Sequence, residues 1–270
     1  MLSNYHTHTN FCDGNNTAEE MVVSAIDKGF NSLGFSGHGY TDFDTSYCMT
    51  DEDAYRTEIL RLKDKYRDKI QIYLGTEEDA TCLVNRGKYD YIIGSLHYFK
   101  INGIYYSVDL SYESMIDCVN LMGGDAMALA ENYYKTFCDY IVSRKPDIIG
   151  HFDLLTKYDE KYEPLFLGKT EYDRIAEKYL KYAVSSGCIF EVNTGAISRG
   201  YRRTPYPYVN LLHILKNENA PVILSSDSHC ADGLDCEFAE TKELLKDIGF
   251  KNICTMKDGR FVNISIREII

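Results

Sequence analysis

Short apolar runs alternate with amphipathic helical stretches along the whole of this 270-residue chain, and no linker interrupts them. Seven runs read as strands: "LSNYH" (2–6), "SLGFS" (32–36), "IQIYLG" (70–75), "YIIGS" (91–95), "DIIG" (147–150), "CIFEV" (188–192) and "PVILSS" (221–226). The stretches between them carry helix signals. "TAEEMVVSAIDKG" (17–29) opens on Thr17, has Glu20 three residues on as a capping box, and ends at Gly29. "DEDAYRTEILRLKDKY" (51–66) places acids early and bases late, as the helix dipole favours. "TEYDRIAEKYLKYAVSSG" (170–187) closes on a glycine. Strand–helix alternation implies a largely parallel sheet, since parallel neighbours need a crossover connection. About seven such units without a break predict an α/β protein with one closed, TIM-like barrel spanning 1–270, rather than two domains. The segment 101–145 departs from the rhythm and reads as a mostly helical insertion after the strand at 91–95.

Charge narrows the function classes. With 29 Lys and Arg against 41 Asp and Glu, the formal net charge is −12. Such a surface lacks the positive field that nucleic acids or anionic membranes require, so neither is expected as a partner. An anionic small molecule stays possible if bound cations reverse the local sign. No basic start followed by an apolar run is present, and no apolar stretch approaches the roughly 20 residues of a membrane span. The nine cysteines are odd in number and form no C-x-x-C pair, which predicts reduced thiols in a cytoplasmic protein.

The histidines carry the chemistry. Of seven, His6, His8, His38, His97, His151 and His229 each follow an apolar run. In a β/α barrel that is the face where active sites assemble. Glu77 in "IYLGTEE", its neighbour Glu78 and Asp227 in "SSDSH" fall at the same end. One histidine after a strand is usually a loop or core residue, but six in the same relation call for a common cause. In His6-x-His8, residues two apart share a face of an extended segment, and Asp227-x-His229 repeats the geometry. Imidazoles and carboxylates together suit zinc, iron or manganese. His213, in "VNLLHILK", lies at helical spacing among leucines and reads as structural. The serines of "SSDSH" make no catalytic triad by adjacency alone.

"HTHTNFCDG", "GFSGHG", "YLGTEED", "IIGSLHYF", "IIGHFDLL", "FEVNT" and "SSDSH", in that order from residue 6 to 229, resemble the PHP family, named for polymerase and histidinol phosphatase. "IIGSLHYF" followed by "YYSVD" and "GHFDLLTKY" is most similar to its histidinol-phosphate phosphatases. The resemblance implies a distorted (β/α)7 TIM-like barrel in a single domain with a trinuclear centre of divalent Zn, Fe or Mn. It implies that His6, His8, Glu77 and Asp227 hold one ion, that Glu77 bridges to a second held by His97 and His151, and that Asp13, His38 and His229 hold a third. Glu77 is preferred to Glu78 because "GTE" matches the family's Gly-x-Glu. Glu77, Asp227 and His229 are the implied catalytic residues. The implied activity is hydrolysis of a small phosphate monoester, L-histidinol phosphate in histidine biosynthesis, by metal-activated hydroxide. The alternative is a PHP-type phosphodiesterase or nucleotide-fragment phosphohydrolase. An amidohydrolase would usually supply a bridging lysine at a strand end, which is absent, and a metal-binding regulator would need no phosphate anchor. Arg199, with Arg202 and Arg203 near it in "NTGAISRGYRR", and Lys157 are the candidate phosphate contacts, Arg199 being nearest its strand end.

Overall fold

The structure, a computed structural model, describes residues 1–269. In chain order it contains β1 (Ser3–Asn4), α1 (Ala18–Asp27), β2 (Ser32–Phe35), α2 (Glu52–Lys65), β3 (Gln71–Asp79) and β4 (Tyr91–Ser95). There follow β5 (Tyr98–Ile101), β6 (Ile104–Ser107), α3 (Tyr112–Leu121), α4 (Ala126–Arg144), β7 (Ile148–Ile149), α5 (Thr170–Val184) and β8 (Ile189–Asn193). The chain continues through a short α6 (Gly195–Ser198), α7 (Val209–Asn217), β9 (Val222–Ser225), α8 (Phe238–Ile248), β10 (Asn252–Lys257) and β11 (Arg260–Ser265). Local chemistry sets the helix starts. The Thr17 hydroxyl accepts from the Glu20 amide while Glu20 reaches back, and Asp51 accepts from the Ala54 amide.

Seven strands pair in parallel in the order β1-β2-β3-β4-β7-β8-β9. A bridge between Thr7 and Ser228 then brings the last strand back to the first. It is stitched by His8 N–H donating to the Ser228 carbonyl at 2.8 Å and Ser228 N–H donating to the His6 carbonyl at 3.1 Å. The sheet is thus a nearly closed barrel of seven parallel strands with helices outside it. Met21, Val22 and Ala25 of α1 and Tyr55, Ile59 and Leu62 of α2 are among the residues buried in the outer core.

A second, smaller core fills the barrel itself. Tyr5, Tyr73, Tyr91, Ile93, Ile148 and Ile223 meet there, and the antiparallel pair β10–β11 closes that end with Cys254, Met256 and Phe261. Tyr91 donates to the Tyr5 carbonyl at 2.5 Å. Its ring occupies space that only glycine leaves open: a Cβ on Gly75 would stand 2.3 Å from the Tyr91 ring. These groups sit at the strand starts, leaving the opposite end for polar side chains.

The segment 101–145 begins inside a hairpin, which the helical expectation does not contain. Asn102 and Gly103 take φ of 52° and 85°, the turn that joins two strands of matching twist. Asp258 and Gly259 do the same for β10–β11 at 50° and 74°. Helices α3 and α4 follow the first hairpin, and α4 packs on α5 in the outer layer. Among the described residues, no helix is long and apolar enough to cross a membrane.

Candidate metal centre

Strand β3 shows how the backbone chooses its ligands. Successive side chains of a strand face opposite ways. Glu77 enters the barrel mouth and accepts from the Ser95 hydroxyl at 2.6 Å. Glu78 faces outward, where Arg144 donates to both of its oxygens at 2.8 and 2.7 Å and Tyr140 donates at 2.7 Å. Glu78 is therefore a buried ion-pair partner, and Glu77 is the carboxylate in the mouth.

Around Glu77 the strand ends deliver imidazoles. Its Oε2 lies 3.1 Å from His6 Nε2, 3.5 Å from His8 Nε2 and 3.0 Å from His38 Nδ1. Its Oε1 lies 3.0 Å from His151 Nε2 and 3.4 Å from His97 Nε2. Asp227 Oδ1 lies 3.2 Å from His8 Nε2 and 3.6 Å from His6 Nε2. Asp13 reaches His229 at 3.3 Å and His38 at 3.6 Å. All nine residues named as candidate ligands thus come together. They group as His8–Asp13–His38–His229, His6–Glu77–His151, His6–His8–Asp227 and His38–Glu77–His97, overlapping sets rather than three separate ones.

The donor set fits cations. Three imidazole nitrogens, His6 Nε2, His8 Nε2 and His151 Nδ1, are buried without a hydrogen-bond partner. Buried polar atoms are ordinarily satisfied, so orphans of this kind mark a place where another group belongs. For His6 and His8 the orphan nitrogens point at carboxylate oxygens without bonding them, as ligands sharing an ion do.

Electrostatics say the same. Burial opposes charge on Glu77, yet His6, His97 and His38 hold its carboxyl well below the usual range. Asp227 is likewise lowered against burial, by Arg199 and His6. Burial also works against protonation of His6, but Glu191, Glu77 and Asp227 outweigh it and raise its pKa. For His97, Glu77 and Asp79 overcome burial and raise it to about 10. His8 goes the other way: burial, then His229 and His38, lower it to about 3. The mouth keeps its carboxylates anionic and draws positive charge, which protons supply when cations do not.

Two carboxylates not singled out in the sequence orient the ligands. Glu191 on β8 takes His6 Nδ1 at 2.6 Å, the His151 backbone N–H at 2.7 Å and the Ser225 hydroxyl at 2.5 Å. With Nδ1 so engaged, His6 presents Nε2 to the mouth. Asp79 accepts from the His97 backbone N–H at 2.9 Å and lies 3.3 Å from its Nδ1. An acid within the apolar run "CIFEV" is the signal that could have found Glu191.

The mouth opens on a cavity of about 320 Å³, lined by Asp13, Glu77, Asp227 and the histidines 38, 97, 151 and 229 together with Tyr47, Tyr98, Lys157 and Arg199. Arg199 donates to the Asp227 carbonyl at 3.0 Å and to its carboxylate at 3.1 Å. Gly195 makes room for this pair, since a Cβ there would stand 2.9 Å from Asp227 Cβ and 3.0 Å from the guanidinium. Lys157 lines the cavity but is committed to Asp109, through its carboxylate at 3.1 Å and its carbonyl at 2.8 Å. Arg202 is buried elsewhere, against Thr156 at 2.6 Å and Asp153 at 3.5 Å, and Arg203 is exposed. His213 lies on the exposed side of α7 while Leu211, Leu212 and Leu215 are buried.

The PHP domain model matches residues 4–195. A Schizosaccharomyces pombe protein named "Probable histidinol-phosphatase" is 28% identical over 277 residues, covering 94% of this chain and 89% of that protein. The histidinol-phosphatase of Bacillus subtilis is 26% identical over 252 residues, 84% of this chain and 92% of that protein. In fold the chain is similar to a crystal structure of Lactococcus lactis histidinol phosphate phosphatase complexed with zinc, L-histidinol and phosphate. The TM-score is 0.72 at 20% identity, with 96% of this chain and 98% of that one covered.

Proposed function

The chain belongs to the PHP family, and from that membership we propose that it is a metal-dependent phosphatase that hydrolyses a small phosphate monoester, L-histidinol phosphate, to L-histidinol and phosphate. The observation that carries the proposal is the gathering of nine strand-end ligand candidates on one cavity of about 320 Å³ with Arg199 on its wall. Relatives named as histidinol-phosphatases along nearly their whole length, and a similar fold complexed with zinc, L-histidinol and phosphate, support the same reading.

Three divalent ions, zinc, iron or manganese, are the cofactor we assign, held by His6, His8, Asp13, His38, Glu77, His97, His151, Asp227 and His229. When bound, such ions supply positive charge to phosphoryl oxygens and lower the pKa of water. The protein's own groups do the rest. Glu77 and Asp227 stay anionic in the centre of the mouth. Glu191 and Asp79 fix His6 and His97. Arg199, steadied by Asp227 and standing 3.2 Å from His229 Nδ1, keeps its Nε–H free of protein partners among the described residues. A planar guanidinium there can grip the phosphoryl group and hold it in line for displacement. Glu77, Asp227 and His229 border that position and are the catalytic residues of this proposal. Nine free cysteines suit a cytoplasmic enzyme.

A panel of histidinol phosphate, other monoesters, p-nitrophenyl phosphate and a bis-ester, run beside metal analysis of the purified protein, tests the proposal. Preferred turnover of the bis-ester, or one metal or none in metal-replete protein, would overturn it. Within the panel, Arg199→Ala should lower kcat/KM on a monoester by roughly ten- to hundredfold with metal content unchanged, whereas Lys157→Ala should lower it less. The reverse order would move the anchor to Lys157.

A further inference from the structure

Two loops meet beside the barrel mouth. The loop after β7 carries His151, Asp153, Thr156 and Glu160, and the loop after β8 runs through α6 to Arg199, Arg202 and Tyr206. Arg202, whose side chain is wholly buried, joins them. Its Nη1 donates to the Thr156 hydroxyl at 2.6 Å and stands 3.5 Å from Asp153 Oδ2. Its Nη2 donates to the Thr204 hydroxyl at 3.2 Å and to the Pro205 carbonyl at 3.4 Å, and its Nε stands 3.5 Å from Glu160 Oε1. Both carboxylates also grip the second loop by its backbone: Glu160 accepts from the Arg203 N–H at 2.6 Å, and Asp153 from the Tyr208 N–H at 3.0 Å.

This junction reaches a functional side chain on either side. The Arg202 backbone N–H donates to the Ala196 carbonyl at 3.2 Å, within the turn of α6 that Arg199 ends. The Arg202 guanidinium lies 4.4 Å over the Tyr206 ring, whose centre is 6.1 Å from that of the His151 ring. Tyr206 in turn exchanges backbone hydrogen bonds of 2.8 and 2.9 Å with Asn193 at the end of β8. Arg202 itself is not among the described residues that line the cavity. A buried ion pair adds little stability over apolar residues of the same volume, because desolvation offsets the attraction. What a guanidinium gives here is direction, since its donors are fixed in one plane and fit one arrangement of the two loops.

We propose that Arg202 is a positioning residue, which locks the His151 loop to the Arg199 loop and so sets where the Arg199 guanidinium stands relative to the ligand candidates. The assignment rests on the phosphatase reading for the role of Arg199 and on the buried contacts for its geometry. Arg202 acts through Arg199, so the loss of its fork should matter only while Arg199 is present.

A double-mutant cycle on the metal-loaded protein tests it. Arg202→Lys keeps a positive charge beside Asp153 and loses the fork. It should lower kcat/KM on histidinol phosphate about tenfold and weaken calorimetric affinity for inorganic phosphate, with metal content unchanged. In an Arg199→Ala background the same change should alter both by less than about twofold. Thr156→Val, which removes the 2.6 Å acceptor from the other loop, should follow the same pattern with a smaller effect, and it decides the matter if Arg202→Lys does not fold. Equal losses in the two backgrounds overturn the assignment, because a residue that only supports the barrel does not depend on Arg199. Wild-type turnover and phosphate affinity in both folded variants overturn it as well. If the wild type turns over no monoester, yet its phosphate affinity shows the same dependence on Arg199, the phosphatase reading has failed and the positioning role stands. Wild-type protein that neither turns over a monoester nor binds phosphate overturns both.

Discussion

The two ends of the barrel are built from the same strands and could hardly differ more. On β3, Tyr73 packs into the apolar plug, Gly75 yields its space to the Tyr91 ring, and Glu77, two residues further, stands among five imidazoles. One end is close-packed and closed by a hairpin. The other gathers charges that repel or attract strongly and leaves nitrogens unsatisfied. The plug stabilises the barrel through burial, as interiors of this density do. The mouth gains little from apolar burial; its charged groups hold one another ionised against desolvation, so its stability depends on protons or cations being present. Stability and chemistry are therefore separated by little more than one strand length.

That separation can be broken most sharply at Glu77. Glu77→Gln removes the central negative charge, and kcat/KM should fall by at least about a thousandfold, together with metal content. The cation-free protein should stay folded, since an amide is easier to bury than a carboxylate. Retained activity above about a tenth of wild type would contradict the bridging role. Tyr91→Ala is the counterpart in the plug. Loss of a buried ring should cost about 3–5 kcal/mol in denaturant unfolding while metal stoichiometry is retained. If metals leave with the ring, the two ends are coupled.

Protons give a finer comparison. His6, His38 and His97 all have raised pKa values in the cation-free mouth, His97 to about 10. A group raised on folding contributes stability that is complete below its unfolded pKa, here 6.5, and that is lost as pH climbs through the folded value. Cations compete with those same protons and bind more tightly as pH rises. The Tm difference between metal-loaded and chelated protein should therefore widen from about pH 6 to about pH 9. A flat or narrowing difference would mean that these histidines do not hold the ions. The smallest effect belongs to His213, which lies at neither end. His213→Ala should change stability by less than about 0.5 kcal/mol and leave metal content alone.

Much of this is legible in the sequence. The seven strands lie within a residue or two of the apolar runs, save that β3 extends to Asp79, because burial on both faces leaves a continuous apolar stretch. Histidines at the ends of those runs marked the mouth, since strand direction alone sets which end they occupy. The hairpins β5–β6 and β10–β11 were missed although Asn102-Gly103 and Asp258-Gly259 announce them. Their strands are short and mixed in polarity, so periodicity was silent where turn chemistry was explicit. Helical spacing among leucines suggested a structural role for His213. The spacing was right, but it puts 211, 212 and 215 inward and leaves 213 facing water. Asp44 lies in a loop and had no pattern to betray it; that it lines the cavity is a property of three dimensions only.

The bridge between Thr7 and Ser228 has a consequence for how the enzyme comes into being. It joins the segment bearing His6 and His8 to the segment bearing Asp227 and His229, and close by Asn4 donates to Ser226, 222 residues along the chain. On a ribosome, the first pair of histidines emerges early and must wait for nearly the whole polypeptide before its partners exist. Contacts so distant in sequence form slowly, and they form late. A nascent chain therefore carries isolated imidazoles and no assembled mouth. The cluster of ligand candidates around Glu77 and Asp227 is therefore complete only after the barrel has closed.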